Sequence, residues 1–475
     1  MKRFPCLVFL FISFAGFSQK PTLHKSVLLL DKKAAEYSAM AQSIWSWAEV
    51  GYKEFKSAEL IQTKLKEEGF FIEKGVAGMP TAFIATYGKG GPIIGILGEY
   101  DALPGLSQDS VSYQKSLVEG GSGHACGHHL FGVASMGAAI AIKNWLKENK
   151  KEGTIRFYGT PAEEGGSGKV YMVREGLFKD VDVVLHWHPS DMNKANPESS
   201  LANITTKFRF YGLSAHAAGA PEKGRSALDA AEAFNFMVNM MREHVPSDSR
   251  IHYVITQGGK APNVVPDFAE VYMYARHPQR DVVKDIFSRM VKAAEGAAMG
   301  TGTTMKYEII GGVYDLLPNI TLAKLMYNNL LKVGGLTYTE REQEFAKNIQ
   351  QTFTFPLPNY SPSQIQPFSE SRGEGGGSTD VGDVSWNVPT VELNYGTWVP
   401  GVPAHSWQAV ACGSTSIGMR AMMNASKILA QTGIDLFIHP EIIRKAKEEF
   451  NQKKGKDFHY EALLGDRKPA LNYRD

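Results

Sequence analysis

Three short, largely apolar runs set the frame of the chain: PIIGILG at 92–98, TIRFYG at 154–159 and VDVVLHW at 181–187. Each has the length expected of a strand buried in a parallel sheet. Each also ends abruptly in polar residues. The first runs into Glu99-Tyr100-Asp101, the second into Thr160-Pro161-Ala162-Glu163-Glu164, and the third into His188-Pro189. Helical spacing fills the intervals. Ala34, Tyr37, Met40, Ala41 and Ile44 share one side of a helix predicted over 31–49. A second helix over 56–68 is closed by Gly69, and a third covers 130–145. Strands are predicted at 70–73 and 81–87. The alternation predicts an α/β layer with a mixed, largely parallel sheet flanked by helices. Sites in such sheets form at the carboxyl ends of the strands.

Between 199 and 311 the pattern changes. Residues 203–211 alternate as a half-exposed strand, followed by a helix at 224–243, strands at 250–257 and 268–276, a helix at 281–300 and a strand at 303–310. The order βαββαβ is that of a ferredoxin-like module. It reads as an insertion, because helices at 317–333, 339–352 and 406–429 and a strand at 389–395 resume the first pattern. Residues 355–377 form a loop rich in Pro, Ser and Gly, whose length points to function or mobility. The charged stretch 444–475 predicts a helix and then an extended, partly disordered end. The expected organisation is a catalytic domain of 20–198 and 312–440, a lid of 199–311 and an extension of 441–475.

Composition narrows the function. A chain of 475 residues exceeds what one hydrophobic core holds. Its 51 basic and 49 acidic residues leave a net charge of +2, which gives no electrostatic case for nucleic acid or a membrane surface. Residues 1–19 join Lys2 and Arg3 to an apolar run at 4–17, the pattern of a secretory signal peptide and too short for a stable membrane span. The expected location is therefore exported, periplasmic or secreted. The mature chain keeps Cys126 and Cys412, and metal binding is a better use for Cys126 than the single available pairing.

Residues 120–139 pass from a glycine-rich loop into a small-residue helix, with Cys126 and His128 at the junction. With the strand-end residues they make a set of Cys126, His128, Glu163, Glu164, His188 and His405. Five such ligands with a bridging water suit two adjacent transition-metal ions, and the remaining carboxylate becomes a general base. Singly, each has a plainer reading. Glu163 and Glu164 alone suit a solvated pair, His405 a neighbour of a helix cap, and Asp101 either a turn cap or an acid orienting a ligand histidine. His186 and His188 fall on one face of a regular strand; His188 is taken as the ligand because it lies nearer the strand end. The glycine-rich loop lacks the Lys-Ser/Thr of a phosphate-binding loop.

The pieces GEYDALPG (98–105), GHACGHH (123–129), PAEEGGSGK (161–169), LHWHPS (185–190), SAHAAGAPEKGRSALDA (214–230), GGKAPNVVPDFAEVYMYAR (258–276) and VPAHSW (402–407) run in one order along nearly the whole mature chain. Together the chain resembles the aminoacylase/carboxypeptidase superfamily of di-metal amidohydrolases. The matching branch holds aminobenzoyl-glutamate, hippurate and auxin-conjugate hydrolases, and GGGSTDVGDVSW (375–386) resembles the aminobenzoyl-glutamate hydrolase and β-alanyl-dipeptidase side of it. The resemblance implies two divalent metal ions, Zn or Mn, with Co or Ni also compatible. It implies Cys126, His128, Glu164, His188 and His405 as ligands and Glu163 as the base. It implies His216 as a histidine reaching the partner subunit's active site to steady the oxyanion, and Asn263 and Arg276 near the substrate carboxylate. The implied reaction is hydrolysis of an N-acyl amino acid. The alternatives are a metallo-dipeptidase acting on short or β-alanyl dipeptides and a non-catalytic partner subunit. The implied assembly is a homodimer through the lid, with a heterodimer as the other arrangement. His129 stands where many relatives carry Asp, which leaves open what orients His128.

Overall fold

The computed structural model describes residues 23–371, 373 and 376–474; the predicted leader lies outside the described residues. Two sheets organise them. The first has six strands: β1 (Phe71–Lys74), β2 (Phe83–Lys89), β3 (Ile93–Gly98), β4 (Gly153–Gly159), β5 (Val183–Ser190) and, much later in the chain, β10 (Thr390–Gly396). They lie in the order β1-β2-β4-β3-β5-β10. The neighbours β3–β4, β3–β5 and β5–β10 are parallel, whereas β1 and β2 add an antiparallel edge. Gly98 pairs with Gly159 and Ser190 with Gly396, so the residues that follow these strands leave one edge of the sheet side by side.

The second sheet is antiparallel, in the order β7-β8-β6-β9, from β6 (Ala202–Tyr211), β7 (Arg250–Gln257), β8 (Phe268–His277) and β9 (Thr304–Val313). Helices Ala227–Met241 and Arg280–Thr301 cover it, with a core of its own around Phe208, Phe234, Ile286 and Met290. It is inserted between β5 and β10, in the βαββαβ order the alternation predicts.

Some elements differ from the sequence reading. The third strand runs two residues past 188, because β10 offers it a parallel partner through Pro189 and Ser190. The single helix expected at 406–429 is two, Trp407–Gly413 and Ser416–Ile438. At the break, the Gly413 carbonyl accepts a hydrogen bond from His129 Nε2 at 3.1 Å. The loop at 355–377 is pinned along its described part, since Asn193 Nδ2 donates to the Pro362 and Gln364 carbonyls, each at 2.9 Å. The expected disordered end is the largest departure. Helix Pro440–Lys454 is followed by residues packed against the body, with Leu463 and Leu464 buried. No helix among the described residues is long and apolar enough to cross a membrane.

Candidate metal centre

Strand register builds the site. Glu99 and Asp101 follow β3, Glu163 and Glu164 follow β4, His188 lies near the end of β5, and His405 comes on the loop after β10. Cys126 and His128 come from the side, at the start of the helix His128–Glu148. A helix amino end favours negative charge, which suits a thiolate there. Gly127 makes the junction possible. Its φ is +76°, and a Cβ there would lie 2.6 Å from the Pro189 Cβ, so only glycine lets Cys126 and His188 approach.

Three groups of donor atoms result, each with its atoms within 4.8 Å of one another: Cys126/His128/His188, Cys126/Glu164/His405 and Glu99/His128/Glu163. The first two contain all five expected ligands and share Cys126, an arrangement suited to two neighbouring ions. The hydrogen bonds set the imidazoles for this task. Asp101 can only accept, so the bond of 2.9 Å to its Oδ1 places the proton on His128 Nδ1 and leaves Nε2 as a lone pair. His188 Nδ1 likewise donates to the Pro189 carbonyl at 2.7 Å, and its Nε2 stands 3.5 Å from Cys126 Sγ. Asp101 therefore orients His128, whereas His129 faces Gly413.

The two glutamates have different surroundings. The turn between β4 and the next helix carries Ala162 at φ +58° and Gly165 at φ +93°, which sends the neighbouring side chains apart. Glu164 Oε1 lies 3.2 Å from His405 Nε2, and its amide donates to Asp101 Oδ2 at 2.9 Å. Burial works against that carboxylate, yet His405 and His128 hold it below the usual range. Glu163 has no such help. Burial and the carboxylates of Glu99, Glu164 and Asp380 push it well above the usual range. One is made a stable anion and the other a ready proton carrier.

The donor chemistry fits a metal for a further reason. His128 Nε2 and Glu99 Oε2 are buried and without hydrogen-bond partners. They face each other at 3.0 Å, and a lone pair opposite a carboxylate requires a proton or a cation between or beside them. Burial raises the Cys126 thiol well above its ordinary value, so the thiolate likewise requires positive charge nearby.

Four contributors were not singled out by sequence reasoning. Glu99 approaches His128 as above. Lys169, fully buried, reaches Glu99 Oε1 and Asp380 Oδ1, each at 2.7 Å, and braces the floor of the site. The signals were present: a glutamate two positions before Asp101, and a lysine that the turn carries into the core. Arg474 is the fourth, and nothing in its local sequence marks it. His186 sits a two-residue step below the mouth, about 6.6 Å at the usual strand rise. Both its ring nitrogens are buried and unpartnered, and burial pushes it down to about 3.

A cleft of about 690 Å³ opens over these groups. Arg276, on β8, lines it, with Tyr274 and Asn203 beside it. Neither His216 nor Asn263 does. Both are exposed on the far part of the lid, where the Ala217 amide donates to the Asn263 carbonyl at 3.0 Å.

Cleaving an amide takes water made nucleophilic and a proton carrier beside it. The donor groups can hold ions for the first, and the Glu163 carboxyl lies among them for the second; such a site is that of a metal-dependent amidohydrolase. Residues 95–406 match the peptidase family M20/M25/M40, and the chain belongs to that family. It is 40% identical over 442 residues to a subunit of the p-aminobenzoyl-glutamate hydrolase of Escherichia coli (strain K12), covering 88% of this chain and 92% of that protein. It is 28% identical over 439 residues to the Xaa-Arg dipeptidase of Mus musculus, covering 89% and 91%. The fold is similar to that of an aminobenzoyl-glutamate utilization protein from Klebsiella pneumoniae, with a TM-score of 0.61 at 18% identity, over 87% of this chain and 98% of that one.

Proposed function

We propose that the chain hydrolyses the amide bond of N-acyl amino acids of the aminobenzoyl-glutamate type. The observation that carries this is the division between Glu163 and Glu164: adjacent on one turn, one with a raised carboxyl beside the donor cluster and the other paired with His405. Cys126, His128, Glu164, His188 and His405 would hold two divalent ions, zinc or manganese being the best match to the mixed thiolate, imidazole and carboxylate set. Such ions activate water and polarise the amide carbonyl. Asp101 and the Pro189 carbonyl hold the imidazoles in the ligating tautomer. Glu163 takes a proton from the attacking water and gives it to the departing amine. Arg276 holds the substrate carboxylate on the lid side of the cleft.

His216 and Asn263 complete the site of a partner subunit, His216 steadying the oxyanion. Their exposed position away from this chain's cleft supports that role. Pairing runs through the lid, where edge strand β7 and the adjacent helix expose Val254, Ile255, Phe236 and Met240. A second copy is the proposed partner, with a homologous chain as the alternative, since the similar E. coli protein is named as one subunit of its hydrolase. The predicted leader supports a location outside the cytoplasm, periplasmic or secreted. The similarity to the Xaa-Arg dipeptidase supports dipeptide hydrolysis as the second reading.

The test is metal analysis of the purified mature chain, paired with hydrolysis of aminobenzoyl-glutamate, hippurate, an indole-acetyl-amino acid and a β-alanyl dipeptide, with added Mn²⁺ or Zn²⁺. About two metals per chain are expected, with chelator-sensitive release of the amino acid. Glu163→Gln should keep its metals and fold but lose nearly all turnover; near-normal rates in that variant would remove the role given to Glu163. A requirement for a free α-amine would select the dipeptidase reading.

A further inference from the structure

The segment after helix Pro440–Lys454 is not a loose end. It crosses from lid to catalytic domain as a strap. Tyr460 OH donates to Asp383 Oδ1 at 2.8 Å, and Tyr314 OH to the Glu461 carbonyl at 2.7 Å. Farther on, Arg174 Nη1 donates to the Arg467 carbonyl at 2.7 Å, while Arg467 Nη1 donates to the Ile309 carbonyl of β9 at 3.1 Å. The strap ends on the catalytic turn. The Tyr473 ring packs edge-on against Tyr52, and Tyr473 OH and Arg474 Nη2 both donate to the Glu164 carbonyl.

Arg474 thereby becomes part of the cleft wall that also holds Arg276. Three cations line that cleft: Lys194, Arg276 and Arg474. Lys194 is engaged by Glu198 at 2.5 Å. Among the described residues, no carboxylate pairs with either arginine, and the Nε of each is buried without a hydrogen-bond partner. Arg474 Nη2 donates to the Glu164 carbonyl and the guanidinium also acts on the Tyr473 hydroxyl, but a guanidinium offers five N–H donors in a plane matched to a carboxylate. Glu163, Glu164, Glu198, Asp380 and Glu392 line the same cleft, but among the described residues none is within ion-pair distance of either guanidinium, so both keep donors free for an entering anion.

We propose that Arg474, carried by the strap, is a substrate-binding residue that takes a second carboxylate, so that Arg276 and Arg474 together select acyl conjugates of acidic, dicarboxylic amino acids. This rests on the amidohydrolase reading above and assigns a residue to the second carboxylate of the departing amino acid. Arg276 takes one carboxylate of the leaving amino acid, Arg474 takes the other, and the scissile carbonyl is left over the donor cluster.

The test compares N-benzoyl-glutamate with N-benzoyl-glutamine, equal in shape and different in charge, on the metal-loaded enzyme and on its Arg474→Gln and Arg474→Lys variants. Wild type should prefer the glutamate conjugate. Arg474→Gln should lose about tenfold or more of that preference, mainly through KM, the scale of one charge-assisted hydrogen bond. Arg474→Lys should lose less. No preference in wild type, the same ratio in Arg474→Gln, or an equal loss on both substrates overturns the proposal. The last outcome would reduce Arg474 to a clamp on the Glu164 turn. If wild type cleaves no amide, the amidohydrolase reading fails by itself, and glutarate binding by calorimetry still decides: weaker binding to Arg474→Gln supports the second anion subsite, and equal binding overturns it.

Discussion

Asp101→Asn isolates what the floor of the site does for metal binding. Asp101 is buried, and its two oxygens accept two different hydrogen bonds: Oδ1 from His128 Nδ1 and Oδ2 from the Glu164 amide, both at 2.9 Å. One carboxylate thus fixes a ligand from the helix His128–Glu148 and a ligand from the β4 turn. Asparagine fills the same space with one acceptor and one donor. Whichever way the amide is turned, one N–H faces an NH₂. A buried donor left unpaired costs about 1–3 kcal/mol. If the imidazole escapes by changing tautomer, Nε2 takes the hydrogen and no longer ligates. Either route weakens metal binding about 10- to 100-fold, the usual range for groups that orient a ligand histidine. Competition of apo-protein with a chromophoric chelator for Zn²⁺ or Mn²⁺ measures this directly. Asp101→Ala, which leaves the Glu164 amide without its acceptor and His128 Nδ1 with only the backbone carbonyl of residue 101 at 3.1 Å, should bind more weakly than Asp101→Asn, and Glu163→Gln serves as a variant of similar chemistry that leaves both side-chain bonds intact. Wild-type affinity for both ions in Asp101→Asn would refute the reasoning.

Two further outcomes test the layers below. Lys169→Met leaves Glu99 and Asp380 as buried carboxylates without their shared cation, so it should destabilise the apo-protein by about 3–5 kcal/mol in urea unfolding; a loss under about 1 kcal/mol, the scale of an exposed pair, would argue against the buried network. Asp383, fully buried beneath the strap, is pushed up to about 7 by burial, against the hydrogen bonds from the Tyr314 amide and Tyr460 OH. Its ordinary value is 3.8, so the folded state holds the proton more tightly between those values. Its contribution to stability is full below the lower value and is lost as pH rises through about 7, amounting to about 4 kcal/mol at 1.36 kcal/mol per unit. Chelator-treated protein should therefore melt at lower temperature at pH 8 than at pH 5, with a shallower slope in Asp383→Asn. An unchanged slope in that variant would assign the effect elsewhere.

The parts legible in the sequence were those whose physics is local. A buried parallel strand has to be apolar along its length and has to stop, so the residues after each stop stand at one sheet edge. Asp101, Glu163, Glu164 and His188 could be placed together from the sequence for that reason. Alternation at 203–211 and the order of elements after it gave the second sheet. Choosing His188 over His186 needed only the strand rise. The boundary errors also have local causes: β5 runs on because β10 pairs with it, and the helix near 414 breaks where His129 takes the Gly413 carbonyl.

What remained illegible depends on partners far away in sequence. Arg474 is one cation in a charged stretch, and a charged stretch ordinarily predicts a solvated end. It is ordered here because Leu463 and Leu464 find apolar cover, Tyr460 finds Asp383, and the Glu164 carbonyl accepts from Tyr473 and Arg474 across 309 and 310 residues of chain. Those bonds tie three things together: the lid through β9, the catalytic turn through Glu164, and the cleft through Arg474. Lid position, ligand geometry and substrate charge are therefore coupled through a single segment. Cutting the strap before Tyr460 should disturb all three at once, whereas Arg474→Gln should touch chiefly the last. A strap-truncated chain that kept both its metal affinity and its glutamate-over-glutamine preference would show that the contacts, though made, are not used.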